Sequence, residues 1–385
     1  MLVPNFLHGL GQMAPVGDNA GKILVIIQLS GGNDGLNCVV PFRNDRYYQA
    51  RPQLGLKKND LVPITDEVGL NKNLRELAGL YDNGHLAILN NVGYPNPNRS
   101  HFRSLDIWQS ASDPEQVLST GWVGRYLDAN CQATGNKPHA AVEVDDALSL
   151  VLKGEKCKGM AFHDPASLYQ MSANSVTPKQ ATAHVMADAN PSLSFLNKTL
   201  IETNQSVEYI YQHSKIYRST RTYPAHAFGQ RMKTVAELIG SGCDTSVYYV
   251  SLPGFDTHAY QKLFHHQVLK TYAKTLGAFC EDLKASNRFN DTVILTFSEF
   301  GRRVAQNASK GTDHGTANNV YLAGGGLARK GILNAMPDLA RLDEGDLIHT
   351  VDFRQVYATL LDKALRVNPE KVLSQRFAPL DFLAG

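Results

Sequence analysis

The chain has 385 residues, 43% of them hydrophobic and 19% charged, with a net charge of +2. A chain of that length buries a large core, and the composition is that of an ordinary globular protein, neither disordered nor basic enough to favour nucleic acid. No apolar run approaches the roughly 20 residues of a membrane helix, so no transmembrane segment is predicted.

Met1 to Lys22 lacks both a basic n-region and a sustained apolar h-region, so no complete signal peptide is read there. Leu24 to Leu29 is a continuous apolar run, the pattern of a strand covered on both faces. It ends in Ser30-Gly31-Gly32-Asn33-Asp34-Gly35, a glycine turn that lets backbone approach a ligand. Leu74, Leu77, Leu80 and Tyr81 keep helical spacing, with Gly84 as the stop. A strand at Leu86–Leu89 runs into Gly93-Tyr94-Pro95-Asn96-Pro97-Asn98-Arg99-Ser100-His101, where two prolines forbid helix and Asn98 or Ser100 caps the next one.

Ala141–Val144 and Leu148–Leu152 are predicted as short strands, and Pro178–Tyr217 as helices. Residues 137–222 are taken as an insertion or cap within a single domain of residues 1–385. Regular alternation returns with a helix through Met232, Val235 and Leu238, and a strand at Val247–Leu252 that breaks at Pro253-Gly254-Phe255-Asp256-Thr257-His258. Leu269, Tyr272, Leu276, Phe279 and Leu283 form a helical core stripe, on a helix where His265 and His266 are expected to be exposed. A strand at Val293–Phe297 stops at Ser298-Glu299-Phe300-Gly301-Arg302-Arg303, a loop delivers Asp313-His314-Gly315, and Val320–Ala323 and a helix through Phe353, Val356 and Leu360 close the chain. Strands alternating with helices predict a three-layer α/β/α fold with a mostly parallel central sheet.

In such sheets functional groups gather at the carboxyl ends of the strands. Here those ends carry Asp34, Ser100 with His101, Asp256 with His258, and Glu299 with Asp313 and His314. Carboxylates and imidazoles together are ligands for a divalent metal, zinc or manganese before magnesium or calcium. In an extended Asp256-Thr257-His258 the two polar side chains point the same way. Arg302 and Arg303, at a strand end, suit an anionic group. Taken singly, each has an ordinary reading: Asp34 as a turn residue, Ser100 as a helix cap, Trp122 as a packing anchor. Cys38, Cys131, Cys157, Cys243 and Cys280 are scattered with no C-x-x-C pair, which argues against a disulfide framework and a zinc–cysteine site.

The stretches LVIIQLSGGNDGLNCVVP, NVGYPNPNRSHFRSLDIWQSA, STGWVGRYLD, LPGFDTHAYQ, TFSEFGRR and GTDHGTANNVYLAGGG, in this order, resemble the bacterial family called domain of unknown function 1501, of the alkaline phosphatase and sulfatase superfamily. The resemblance implies one or two metals at the sheet's carboxyl edge and hydrolysis of a phosphate or sulfate ester in an anionic small-molecule or glycan-like substrate. It places metal ligands at Asp34, Asp256, His258, Glu299, Asp313 and His314, and a hydroxyl nucleophile at Ser100. His101 or His314 would shuttle the proton, and Arg302 would hold the anion's oxygens. One departure stands out: Phe300 follows Glu299 where the superfamily has an Asp-His pair. A non-catalytic binding protein with a drifted site is the alternative it leaves. The resemblance also implies a periplasmic or otherwise exported protein, with the cytoplasm as the alternative.

Overall fold

In the computed structural model, which describes residues 22–134, 136–174 and 191–384, every strand end singled out above meets at one edge of one sheet. The strands in chain order are β1 (Ile23–Ser30), β2 (Val39–Val40), β3 (Leu61–Pro63), β4 (Gly69–Asn71), β5 (Leu86–Gly93), β6 (Ala141–Glu143), β7 (Met160–Ala161), β8 (Val247–Pro253), β9 (Thr292–Phe297), β10 (Asn318–Ala323), β11 (Gly331–Ile332) and β12 (Val351–Asp352). The main sheet has the order β11-β5-β10-β9-β1-β8-β6-β7, with β12 also on β5, while β2, β4 and β3 form a small antiparallel sheet.

β1 is central, parallel to β8 on one side and β9 on the other. Its alternate side chains enter two separate cores, which is why its sequence is apolar without a period of two. Val25, Ile27 and Leu29 pack with Leu77, Met232, Val235, Tyr272 and Leu276 on one face. Leu24 and Ile26 pack with Trp108, Trp122, Tyr357 and Leu361 on the other. Helices Arg75–Asp82, Ala227–Gly240 and Gln261–Ala285 thus cover one face, and His101–Ser110, Trp122–Thr134 and Phe353–Thr359 the other. This is the three-layer, mostly parallel architecture that the alternation predicts. Trp122 is a packing anchor, buried and stacked on Tyr357.

β10 is the exception in direction, antiparallel to both β5 and β9. Its start therefore lies at the edge where β1, β5, β8 and β9 end, and the reversal carries Asp313 and His314 to that edge.

Three details differ from expectation, and the middle of the chain adds a fourth observation. Leu150–Leu152 is a 3₁₀ turn, not a strand; a five-residue apolar run does not tell the two apart, and here Glu143 accepts both the N–H and the hydroxyl of Ser149 and bends the chain. Within residues 137–222, β6 and β7 join the main sheet and helix Pro165–Asn174 packs on helix Pro191–His213; residues 175–190 of the predicted helical stretch lie outside the described residues. Cys131 and Cys157 form a disulfide, which cysteine spacing did not suggest. His265 is buried, not exposed: its Nε2 lies 2.9 Å from Asn33 Oδ1, and burial pushes its pKa down to about 4.

Candidate metal centre

Two glycines let the strand ends converge. Gly31 has φ +119°, and a Cβ there would fall 2.4 Å from the Asp256 backbone nitrogen. Gly32 has φ +74°, and its Cβ would fall 2.3 Å from the Phe300 ring. Only glycine takes these conformations and leaves this room. The turn after β1 thus lies directly against the segment after β8 and the segment after β9.

Around Asp256 stand three imidazoles. Asp256 Oδ1 is 3.0 Å from His258 Nε2, 3.3 Å from His314 Nε2 and 3.5 Å from His101 Nε2. The Nε2 atoms of His258 and His314 are 2.8 Å apart. Each ring is tied through its other nitrogen to a group that only accepts: His101 Nδ1 to Glu299 Oε1 at 2.8 Å, His258 Nδ1 to Asp313 Oδ1 at 3.3 Å, and His314 Nδ1 to the Arg99 carbonyl at 2.8 Å. A carbonyl and two carboxylates require Nδ1 to carry the proton. In the neutral form of a ring held this way, the Nε2 lone pair faces Asp256.

Electron-rich atoms packed this closely repel one another unless a proton or a metal cation sits among them. The separations suit one: with metal–nitrogen distances of 2.0–2.1 Å, tetrahedral ligand atoms lie about 3.3 Å apart. His101 Nε2 is buried without a hydrogen-bond partner, and such an orphan is satisfied by a metal. Holding the second ring nitrogen on a carboxylate or carbonyl is also how proteins orient metal-bound histidines. The donor set fits a divalent metal on these grounds. His101, Asp256 and His314 bring their ligand atoms within 4.8 Å of one another, as do Asp128 and the disulfide-bonded Cys131 and Cys157.

The charges around the cluster shift its groups in different directions. Partial burial works to raise the Asp256 pKa, but the Arg302 guanidinium and His314 outweigh it and bring it to about 2. Hydrogen bonds from Asn307 and His258 lower Asp313. The hydrogen bond to Glu299 raises His101, whereas burial lowers His314.

Several predicted site residues sit elsewhere or do something else. Asp34 stays outside the cluster: its buried Oδ2 accepts from Arg51 at 2.6 Å and from Gln261. Burial would raise its pKa, but Arg51 lowers it. A guanidinium thus neutralises the carboxylate, while its Oδ1 is buried without a hydrogen-bond partner. Glu299 and Asp313 reach the cluster as orienting partners of His101 and His258. Glu299 is fully engaged, accepting from Gly31 N–H at 2.8 Å and from the Ser298 hydroxyl at 3.1 Å besides His101. Arg302 is buried with its donors turned inward, to the carbonyls of Gly31, Gly32, Phe255 and Thr312 and to Asp256. It clamps three loops, and its side chain is fully buried away from any entering anion. Ser100 is exposed at the N-cap of helix His101–Ser110, its hydroxyl capping nothing. His101 Nδ1 is engaged by Glu299, while its Nε2 has no hydrogen-bond partner. Sequence reasoning places it with the proton shuttles, whereas its Nε2 lies among the candidate ligand atoms. Phe300 packs its ring against both His101 and His314, at centroid distances of 4.8 and 4.7 Å.

Residues 85–376 match the model of the family described as "Protein of unknown function (DUF1501)". The chain belongs to this DUF1501 family. No curated protein matches the DUF1501 chain. Among solved structures it is similar to the C-terminal periplasmic domain of EcEptC from Escherichia coli, at 12% identity over 92% of this chain and 86% of that one, with a TM-score of 0.42. It is also similar to PsFucS1 sulfatase from Pseudoalteromonas sp., at 12% identity over 94% and 72%, TM-score 0.42. A third is a protein in the alkaline phosphatase superfamily from Vibrio parahaemolyticus, at 12% identity over 94% and 71%, TM-score 0.40.

Proposed function

We propose that this chain is a metal-dependent hydrolase of phosphate or sulfate esters. The observation that carries the reading is the convergence of three Nε2 lone pairs on one carboxylate oxygen, each ring held from behind by an acceptor. His101, His258, His314 and Asp256 would hold the ion, and imidazole in that number favours zinc. When bound, the ion supplies Lewis-acid polarisation of an ester oxygen and charge stabilisation.

The chain's own residues supply the rest. Ser100 is the nucleophile in this reading: exposed, free of any capping bond, one residue from a ligand, and at the N-terminus of a ten-residue helix whose dipole favours an alkoxide. Glu299, Asp313 and the Arg99 carbonyl fix the imidazoles. Arg302 fixes Asp256 and the two glycine carbonyls beneath it. The Cys131–Cys157 disulfide supports maturation in an oxidising compartment, hence export. No helix among the described residues is long and apolar enough to cross a membrane.

The test is zinc and manganese titration of the purified protein, followed by turnover of aryl phosphates and aryl sulfates. The expected result is a bound ion and ester turnover lost in both Ser100→Ala and Asp256→Ala. Turnover that survives both substitutions would overturn the assignment. A tightly bound ion with no turnover of either ester class would favour a binding protein that retains the fold.

A further inference from the structure

Beside the imidazole cluster lies an open cleft of about 310 Å³, floored by Gly31, His101, Asp256 and Glu299. Its remaining lining is Ser30 and, on the apolar side, Phe102 and Leu105 in the first two turns of helix His101–Ser110. Phe102 is 87% exposed and so adds almost nothing to the core. One exposed apolar side chain is ordinary, but several beside one site call for a ligand. The other flank repeats the pattern. Two residues after His258, Tyr260, Leu263 and Phe264 are all exposed at the start of helix Gln261–Ala285. Their spacing puts them on one side of that helix. Tyr260 takes φ +47°, a left-handed conformation that bulky residues avoid and that concentrates at functional sites.

The polar side of the cleft narrows the ligand further. No lysine or arginine stands among the described residues that line it, and Arg302 spends its donors inward. An anion entering there would be held by the metal cluster, and beyond the cluster only Ser30 is polar while Phe102 and Leu105 are apolar. A strongly polar leaving group would gain nothing from this wall and would lose hydration against it.

We propose that the cleft takes an ester anion whose leaving group has an apolar body, packed on Phe102 and Leu105. This rests on the metal-hydrolase reading and adds the substrate class to it. Phe102 is then a specificity residue whose loss spares the metal and the anion subsite.

Calorimetric titration of the zinc-loaded full chain with methyl-, butyl- and octylphosphonate tests this without turnover. A fully buried methylene strengthens binding about fourfold, and a half-covered one in an open cleft about twofold. Octylphosphonate is therefore expected to bind about tenfold or more tightly than butylphosphonate. In Phe102→Ala, whose fold is safe because the ring is exposed, that preference falls to threefold or less, with methylphosphonate affinity and zinc content unchanged. Equal affinity for all three phosphonates in the wild type would overturn the proposal and leave the metal-hydrolase reading standing. A chain-length preference that persists in full in Phe102→Ala would overturn the assignment to this wall. Failure of the zinc-loaded protein to bind any phosphonate would sink both readings.

Discussion

Replacing Arg302 by lysine separates a structural guanidinium from a substrate-binding one. In the native fold Nε donates to Gly32 O at 2.6 Å, Nη1 to Thr312 O at 2.9 Å, and Nη2 to Gly31 O, to Phe255 O at 3.0 Å and to Asp256 Oδ1 at 2.7 Å. A lysine keeps the charge but offers three donors from a single point, whereas these acceptors come from three loops. At least two lose their partner. Each stranded buried acceptor costs about 1–3 kcal/mol, so Arg302→Lys is expected to lose about 2–6 kcal/mol, a large part of the total stability of a typical protein. Urea unfolding of the metal-free protein, followed by circular dichroism, measures it. The loss is predicted to be the same with and without added phosphate. A variant as stable as the wild type that has lost phosphate affinity would refute the clamp and return Arg302 to the anion.

Other outcomes follow from the same contacts. Glu299→Gln keeps the shape but weakens the hold on His101 Nδ1, and zinc affinity measured against a chromophoric chelator is expected to fall about 10–100-fold, with unchanged affinity counting against the orienting role. His265 is neutral in the fold, with a pKa near 4 against about 6.5 unfolded, so below pH 6.5 only the unfolded chain takes up its proton. Stability from this group is therefore present at neutral pH and is lost as pH falls toward 4, by up to about 3 kcal/mol; urea midpoints across that range should be flatter in His265→Gln. Acidification also protonates Asp34, whose lowered pKa makes its pairing with Arg51 a stabilising term above the usual carboxylate range that fades at lower pH. Reducing the Cys131–Cys157 bridge, which spans 26 positions, is expected to cost about 3.5 kcal/mol on loop-closure grounds, seen as a lower urea midpoint in dithiothreitol that is absent from Cys131→Ser.

The sheet was legible because β1, β8 and β9 are apolar runs closed by glycine or proline, and because the helices between them keep clean stripes. The location of the site was legible for the same reason, as were Asp256 and His258, whose extended spacing brings both side chains to one point. Roles were harder to read than positions. Glu299 and Asp313 look like ligands in sequence, yet each is turned onto a histidine, and for Glu299 that histidine lies 198 positions away. Asp34 reads as a metal carboxylate until Arg51, in an unremarkable loop, is folded against it. Phe300 reads as a lost ligand, and in space it is the surface on which His101 and His314 rest. The disulfide escaped because cysteine spacing carries no signal when only two of five pair.

X-ray absorption at the zinc edge, on protein loaded with one equivalent of zinc, tests the metal centre most directly. Three imidazole nitrogens and one carboxylate oxygen are predicted in the coordination shell, with one imidazole lost in each of His101→Ala, His258→Ala and His314→Ala. A protein that fails to retain zinc, or a shell of oxygens without imidazole, would contradict the site.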